Sequence, residues 1–376
     1  MRLDDLPTPA LLLDLDILTR NILRMADKAT SLGVRLRPHI KTHKCIEIAR
    51  LQQTAGAVGI TVSTLAEAAA FGAGGFKDIT YAVPLEPGKI LPALALAGEL
   101  DLGLTVDDLG TAAALGAATT QQKQSVAVWV KVDAGYHRTG VDPAGAEVLE
   151  LVRFLASTGP VLRFAGLLSH AGHAYQAESP TEIKFIIGEE QRILGTLVDR
   201  LGAAGLTVPA VSIGSTPSLA LTQTVSGVDE IRPGNYVFYD RTQLLLGSCT
   251  LRDCAVTVLA SVVSCPSHLD HAVVDAGALA LSHDPGPVHL APEANRGVVL
   301  TNGENRALHP SFRVASVSQE HGIIRGRKAG DVSSLQPGDR LTILPNHSCL
   351  TAPLFDTYYI VQAGQVVDQW PVIRTR

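Results

Sequence analysis

The sequence predicts an α/β protein, a (β/α)8 barrel of the TIM type followed by a C-terminal antiparallel β domain, and three observations carry the prediction. Between Val34 and about Pro233, eight short β-branched apolar runs recur, most of them followed by an Ala/Leu-rich stretch of helical character. Beyond about Leu246 the texture turns to alternating runs broken by Gly, Pro and Asn, with few long helical windows. The chain of 376 residues also exceeds what one hydrophobic core usually supports, so two domains are expected. Residues 15–245 are assigned to the barrel, and residues 1–14 with 246–376 to the β domain.

In order, ALLLDLD after Thr8-Pro9 is strand-like, and Asp16 can cap the helix that follows and closes at Gly33. The barrel runs are VRLRP from Val34, VGITV from Val58, ITYAV from Ile79, LDLGLTV from Leu100, VAVWVKVD from Val126, FAGLLSH from Phe164, PAVSIG from Pro209 and VDEIRPG from Val228. The connection between Gly214 and Val228 is short for a helical return, so the barrel is expected to be irregular there. In the second half, CAVTVLASVVS, HAVVDAG, GIIRG, DRLTILPN and YYIVQAGQVVDQW read as strands, and Pro-Gly-Asp before RLTILP reads as a turn.

Composition narrows the function classes. Hydrophobic residues make up 46% and charged residues 18%, which describes a chain with ample core material. A net charge of -5 and the lack of any basic run argue against a nucleic-acid partner. The apolar stretch from Leu91 to Leu104 is interrupted by Gly98, Glu99 and Asp101, so no membrane span is expected. MRLDDLPTPA lacks the apolar region of a secretory leader. The five scattered cysteines, Cys45, Cys249, Cys254, Cys265 and Cys349, read as cytoplasmic free thiols, one of them a possible ligand.

The chemistry concentrates where barrel strands end. VRLRPHIKTHK runs from a strand into a cationic cluster, and Pro38 forbids the ladder from continuing through it. A lysine leaving a barrel strand among other cations can have its pKa lowered, which suits a Schiff-base nucleophile. The plainer alternative makes Lys41 and Lys44 solvated residues at a helix start. Gly214-Ser215-Thr216-Pro217 opens a helix with backbone N–H groups and hydroxyls that suit a phosphate, where the alternative is a simple helix cap. Late βα loops are the usual phosphate site of barrels, and GSTP and RPGN flank that place. In the β domain, His347 and Cys349 stand two apart on an expected extended segment, so an imidazole and a thiolate can meet one cation, or can simply be buried together.

Seven motifs in this order, LRPHIKTHK, GITVSTLAEA, GYHRTGV, LSHAGHAY, VSIGSTPS, RPGNYVFYD and PNHSC, make the chain similar to the D-serine dehydratase and D-threonine aldolase family of fold-type III pyridoxal enzymes. The resemblance covers nearly the whole chain. It implies pyridoxal 5'-phosphate as cofactor, with Lys41 as the Schiff-base residue and Lys44 its neighbour. It implies Arg138 near the phenolic oxygen and Tyr175 against the cofactor. Gly214, Ser215, Thr216, Gly234 and Asn235 match phosphate-binding positions. Arg232 matches the position near the ring nitrogen, where an arginine keeps that nitrogen unprotonated; the alternative is an ion pair with Asp229 or Glu230. His347 and Cys349 match the metal pair. A sulfur ligand favours zinc over manganese or magnesium.

These residues together imply a lyase for D-3-hydroxy amino acids. Dehydration to an oxo acid and ammonia ranks first, because dehydratases share the His and Cys pair whereas aldolases typically carry His and Asp. The alternatives are retro-aldol cleavage to glycine and an aldehyde, an amino-acid racemase, and a non-catalytic pyridoxal-binding protein. The resemblance also implies a homodimer in which one chain's β domain covers the other's barrel mouth. A substrate with a second carboxylate would need a further cation, for which His173 and Arg241 are the candidates.

Overall fold

A computed structural model describes residues 2–293, 295–301 and 307–374. Its contacts divide into two compact units. One holds Met25–Lys41 and Ile48–Gly234, and the other holds the residues before Met25 together with Thr42–Glu47 and Asn235–Arg374.

The chain opens with β1 (Ala10–Asp14), a strand of the second unit. The helix Leu15–Leu32 follows at once, and its cap differs from the expected one. Asp14 Oδ1, not Asp16, accepts the N–H of Ile17 at 2.9 Å. The helix starts at Leu15, which puts Asp16 in its first turn, where Oδ1 accepts from Gln362 Nε2 instead.

The first unit contains eight strands: β2 (Arg35–Leu36), β3 (Ile60–Val62), β4 (Asp78–Pro84), β5 (Asp101–Val106), β6 (Val126–Lys131), β7 (Leu162–Leu168), β8 (Val211–Ile213) and β9 (Glu230–Ile231). Each coincides with one of the eight runs expected from sequence. They form a parallel sheet in the order β2-β9-β8-β7-β6-β5-β4-β3. The two ends of that order meet. Val58 N–H donates to Leu36 O, Thr61 N–H donates to Pro38 O, and a parallel bridge joins His39 to Thr61. Pro38, which cannot donate, therefore contributes its carbonyl, and the pairing resumes one residue beyond it. Helices return between most strands, and local sequence starts them. Thr64 and Glu67 make a capping box for Leu65–Ala73, Asp108 caps Leu109–Gln121, and Ser179 with Pro180 opens Pro180–Ala203. The short connection after β8 holds only the six-residue helix Thr216–Leu221.

Inside this unit a polar ladder crosses neighbouring strands. Arg37 Nε donates to Glu230 Oε2 at 2.8 Å, and Ser212 Oγ donates to Glu230 Oε1 at 2.8 Å. Arg232 then donates to Ser212 Oγ and to Ser169 O. Arg37 also forks onto Asp78. Burial alone would lower the pKa of the Arg37 guanidinium, but Asp78 and Glu230 outweigh it and raise it.

In the second unit β1 is joined by β10 (Val256–Ser264), β11 (Ala272–Val274), β12 (Val298–Leu300), β13 (Leu308–Val317), β14 (Gly322–Arg325), β15 (Arg340–Leu344), β16 (Thr357–Gln362) and β17 (Gln365–Pro371). The order is β11-β14-β13-β12-β15-β10-β1-β16-β17, and β10 also pairs with β11, so six strands close into a small antiparallel barrel. Only the β1–β16 pairing is parallel among the described residues. Leu6, Ala10, Leu12, Leu259 and Val366 form one of its apolar clusters. No described helix is long and apolar enough to cross a membrane.

Replacing Arg37 with Met leaves Glu230, almost fully buried, without its cation. The expected loss is roughly 3–5 kcal/mol of unfolding free energy in urea titrations, with much of it recovered in the Arg37→Met/Glu230→Met double variant.

Candidate active site

Because all eight barrel strands run in one direction, the segments that follow them share one rim. Lys41 lies there in the turn Ile40–Thr42 after β2, and its N–H donates to His39 Nδ1 at 3.4 Å. Arg138 follows β6, Tyr175 lies in the turn Gly172–Gln176 after β7, Gly214 to Thr216 follow β8, and Arg232 and Gly234 follow β9.

The loop after β6 is held by Asp133, which accepts from the N–H groups of Gly135 and His137 and contacts His137 Nδ1 at 2.9 Å. This places the Arg138 guanidinium 4.9 Å from the centre of the Tyr136 ring. The same ring meets His170 edge-on and stacks on His173. His170 Nδ1 contacts Gly214 O, and burial together with Lys131, Lys41 and Arg138 depresses its pKa well below the usual value. The imidazole is therefore neutral, with the Nδ1 proton given to the carbonyl.

Sequence reasoning nominated Lys41 as the lysine among cations; Lys131, which it did not nominate, has a lowered pKa. It ends β6 at 5% exposure, and burial, with Arg232, Arg138 and Lys41 nearby, pulls it down to about 7. Glu190 reaches the same cluster from the helix Pro180–Ala203. Burial raises its carboxyl pKa, opposed by Ser169, Arg232 and Lys131.

At the end of β8 the two alternatives for GSTP divide between the hydroxyls. Ser215 Oγ is the helix cap, accepting from Ser218 N and donating to Ser218 Oγ. Thr216 Oγ1 is buried with no hydrogen-bond partner. A Cβ on Gly214 would fall 2.8 Å from Arg232 O, so only glycine allows these two strand ends to approach. Arg232 does not pair with the acids proposed from sequence. Glu230 is taken by Arg37 and Ser212, and Asp229 Oδ2 accepts from Val211 N. Burial brings Arg232 down to about 10, against the pull of Glu230 and Glu190.

Asn235, His347 and Cys349 belong to the second unit. His347 Nδ1 faces Asp284 Oδ2 at 3.2 Å, and Asp284 Oδ1 is fixed by the N–H of Gly286. Burial opposes charge on His347, but Asp284 and Cys349 outweigh it and hold its pKa well above the ordinary value. Burial would raise the Cys349 thiol, yet His347 and the Thr42 hydroxyl, 3.2 Å from Sγ, bring it below the usual thiol range. Asp240 gathers the surrounding loops. Its carboxylate accepts from Asn235 Nδ2 at 2.7 Å, Gln243 N at 2.9 Å, Ser348 N at 2.9 Å and Ser348 Oγ at 3.2 Å. The Asn235 Nδ2 is thus committed to Asp240 and Ser348, while its Oδ1 is buried without a partner. Lys44, expected as a neighbour of Lys41, also belongs to the second unit, where its carbonyl accepts from Ile373 N.

Lys131, His170, Glu190, Asp240 and Asp284 were not nominated from sequence. Asp-Pro-Gly at 284–286 and an aspartate just before a short helix at 240 were visible signals of turns and caps, though not of these partners.

Between pH 7 and the ordinary lysine range near 10, the folded cofactor-free protein holds fewer protons on Lys131 than the unfolded chain. Its burial is therefore most unfavourable below pH 7, and stability rises with pH above that. Lys131→Met is expected to remove a slope of up to about 1.4 kcal/mol per pH unit in that window, read by urea unfolding at pH 7, 8 and 9.

Comparison with known proteins follows the same division. The family described as "Alanine racemase, N-terminal domain" matches residues 13–242, and the one described as "Putative serine dehydratase domain" matches residues 255–361. A D-threo-3-hydroxyaspartate dehydratase of Delftia sp. (strain HT23) is 38% identical over 371 residues, covering 97% of each chain. A D-serine dehydratase of Dictyostelium discoideum is 36% identical over 390 residues, covering 98% of this chain and 97% of its own. Among solved structures, a cysteine-to-alanine variant of a D-threo-3-hydroxyaspartate dehydratase in the metal-free form superimposes with a TM-score of 0.94 at 36% identity, covering 100% of both chains.

Proposed function

Since the chain belongs to the family of pyridoxal phosphate-dependent D-serine and D-3-hydroxyaspartate dehydratases and D-threonine aldolases, we propose that it dehydrates a D-3-hydroxy amino acid to an oxo acid and ammonia, using pyridoxal 5'-phosphate and a divalent metal. The observation that carries the choice of reaction is the His347–Cys349 pair backed by Asp284.

The barrel rim suits the cofactor. Thr216 has a buried hydroxyl without a partner, and Lys41, Lys131, Arg138 and Arg232 gather with Glu190 as a buried carboxyl whose pKa is raised. That excess of cationic groups fits a phosphate and a phenolate. Thr216 Oγ1 and the N–H at 216 would hold the phosphate, and Arg138 would serve the phenolic oxygen. Arg232, fixed by Ser212 and Ser169, would act as a hydrogen-bond donor to the ring nitrogen and give it no proton. Bound pyridoxal phosphate draws electrons from the substrate's Cα, which makes its proton removable. Lys41 would hold the cofactor through Nζ, and its amine would be the base for that proton.

The second unit suits a metal. Asp284 occupies Nδ1 of His347, which leaves Nε2 as the ligating nitrogen, and Cys349 is drawn toward its thiolate. A metal held by His347 and Cys349 would keep positions for water and a substrate oxygen. Zinc is favoured by the thiolate, and as a Lewis acid it assists departure of a β-hydroxyl. A racemase would need no such pair. Retro-aldol cleavage would use the same groups and is the reading that product analysis separates. We further propose that the protein works in the cytoplasm as a homodimer, with residues 15–245 as its cofactor domain.

Metal-reconstituted protein incubated with D-serine, D-threonine and D-threo-3-hydroxyaspartate is expected to release oxo acid and ammonia in equal amounts, and to stop when a chelator is added. Glycine plus aldehyde would replace this reading with the aldolase one. Asp284→Ala is expected to weaken zinc binding about 10–100-fold in a competition titration with a chelating dye, with the fold retained by circular dichroism.

A further inference from the structure

The second unit contains a cavity of about 330 Å³, and of the candidate site residues named above only Arg241 lines it among the described residues. Its base is the helix Arg241–Leu245, and its walls come from β12, β13 and the segment before β12. Leu244, Val298, Leu308 and Phe312 line one part, whereas Arg241, His309, Arg313 and Arg327 supply donors. His309 Nδ1 accepts the N–H groups of Ser311 and Phe312, which puts its proton on Nε2.

Arg241 is the anomaly. It is only 9% exposed, and its guanidinium makes one hydrogen bond, from Nη1 to Asn346 Oδ1 at 3.2 Å. Among the described residues no carboxylate pairs with it, and Glu293, the one acid of the described lining, is exposed. The guanidinium lines the cavity with donors to spare, and a planar two-oxygen anion is the partner its fork accepts. Asn346 cannot turn away to serve it further, because its Nδ2 donates to Asp284 O and Asn295 O. Gly286 completes the fit: a Cβ there would come within 3.1 Å of Asn346 and 3.2 Å of Arg241.

We propose that this cavity binds a small carboxylate with an apolar tail, the carboxylate on Arg241 and the tail against Leu244, Val298 and Phe312. The site adjoins the loop that carries His347, and its test does not require turnover. Hexanoate, hexanol and inorganic phosphate are titrated calorimetrically into the holoprotein. Hexanoate is expected to bind saturably in the millimolar range without changing the cofactor absorbance, and hexanol is expected not to bind. Arg241→Gln and Leu308→Trp, the latter filling the cavity without touching a hydrogen bond, are each expected to weaken hexanoate about tenfold or more. Equal hexanoate affinity in both variants, equal binding of hexanol, or complete displacement by phosphate would overturn the proposal.

Discussion

Everything at the barrel rim depends on the seam where β2 meets β3. Seven of the eight strand junctions are ordinary parallel ladders, but this one consists of two backbone bonds into Leu36 and Pro38 and a single bridge at His39. Thr61 reinforces it, with its hydroxyl donating to Arg37 O. Without that closure the eight strand ends would lie along an open edge and could not face one another. The seam lies two residues from Lys41, so the thinnest pairing of the ring also sets where the lysine stands.

Electrostatics then decides which residues the ring can hold. Four cationic side chains and a neutral imidazole meet near two glutamates, one of which is already committed to Arg37. The protein meets part of this imbalance by burial, which lets Lys131 shed its charge near neutrality. What is left is a surplus of donors suited to an anionic group, and the partnerless Thr216 hydroxyl points to the same need. In the second unit the logic is inverted. Asp240 and Asp284 are surrounded by donors, and they orient the imidazole and the loop that carries the thiol.

The barrel was legible because most of its strands lie in compact β-branched runs and several of its helices begin with a short polar cap. Those signals are local. β12 and β13 escaped notice because Val298–Leu300 is only three residues long and Leu308–Val317 contains Pro310 and several polar residues. The site residues that follow strands, such as Lys41 and Thr216, were visible through position and neighbours. Lys131 was not, since a lysine at a strand end is ordinary and its lowered pKa comes from burial and from Arg232 about a hundred residues later. Asp240 and Asp284 were hidden for the same reason, because their partners come from the loop at 346–349. Asn235 was legible as a position, while the direction of its side chain was set by Asp240.

The second unit is assembled from pieces far apart in sequence, with Thr42–Glu47 inserted from the early chain and Thr42 bonded to Cys349 across 307 residues. During synthesis this has a temporal meaning. The first unit can complete its strands once residue 231 has been made, yet the six residues after Lys41 have no surroundings until the last antiparallel strands emerge. At translation rates of roughly 5–20 residues per second, a nascent chain carries that segment without these partners for about 15–60 seconds. The residue after Lys41 therefore reaches its final bond only when the ribosome has nearly finished.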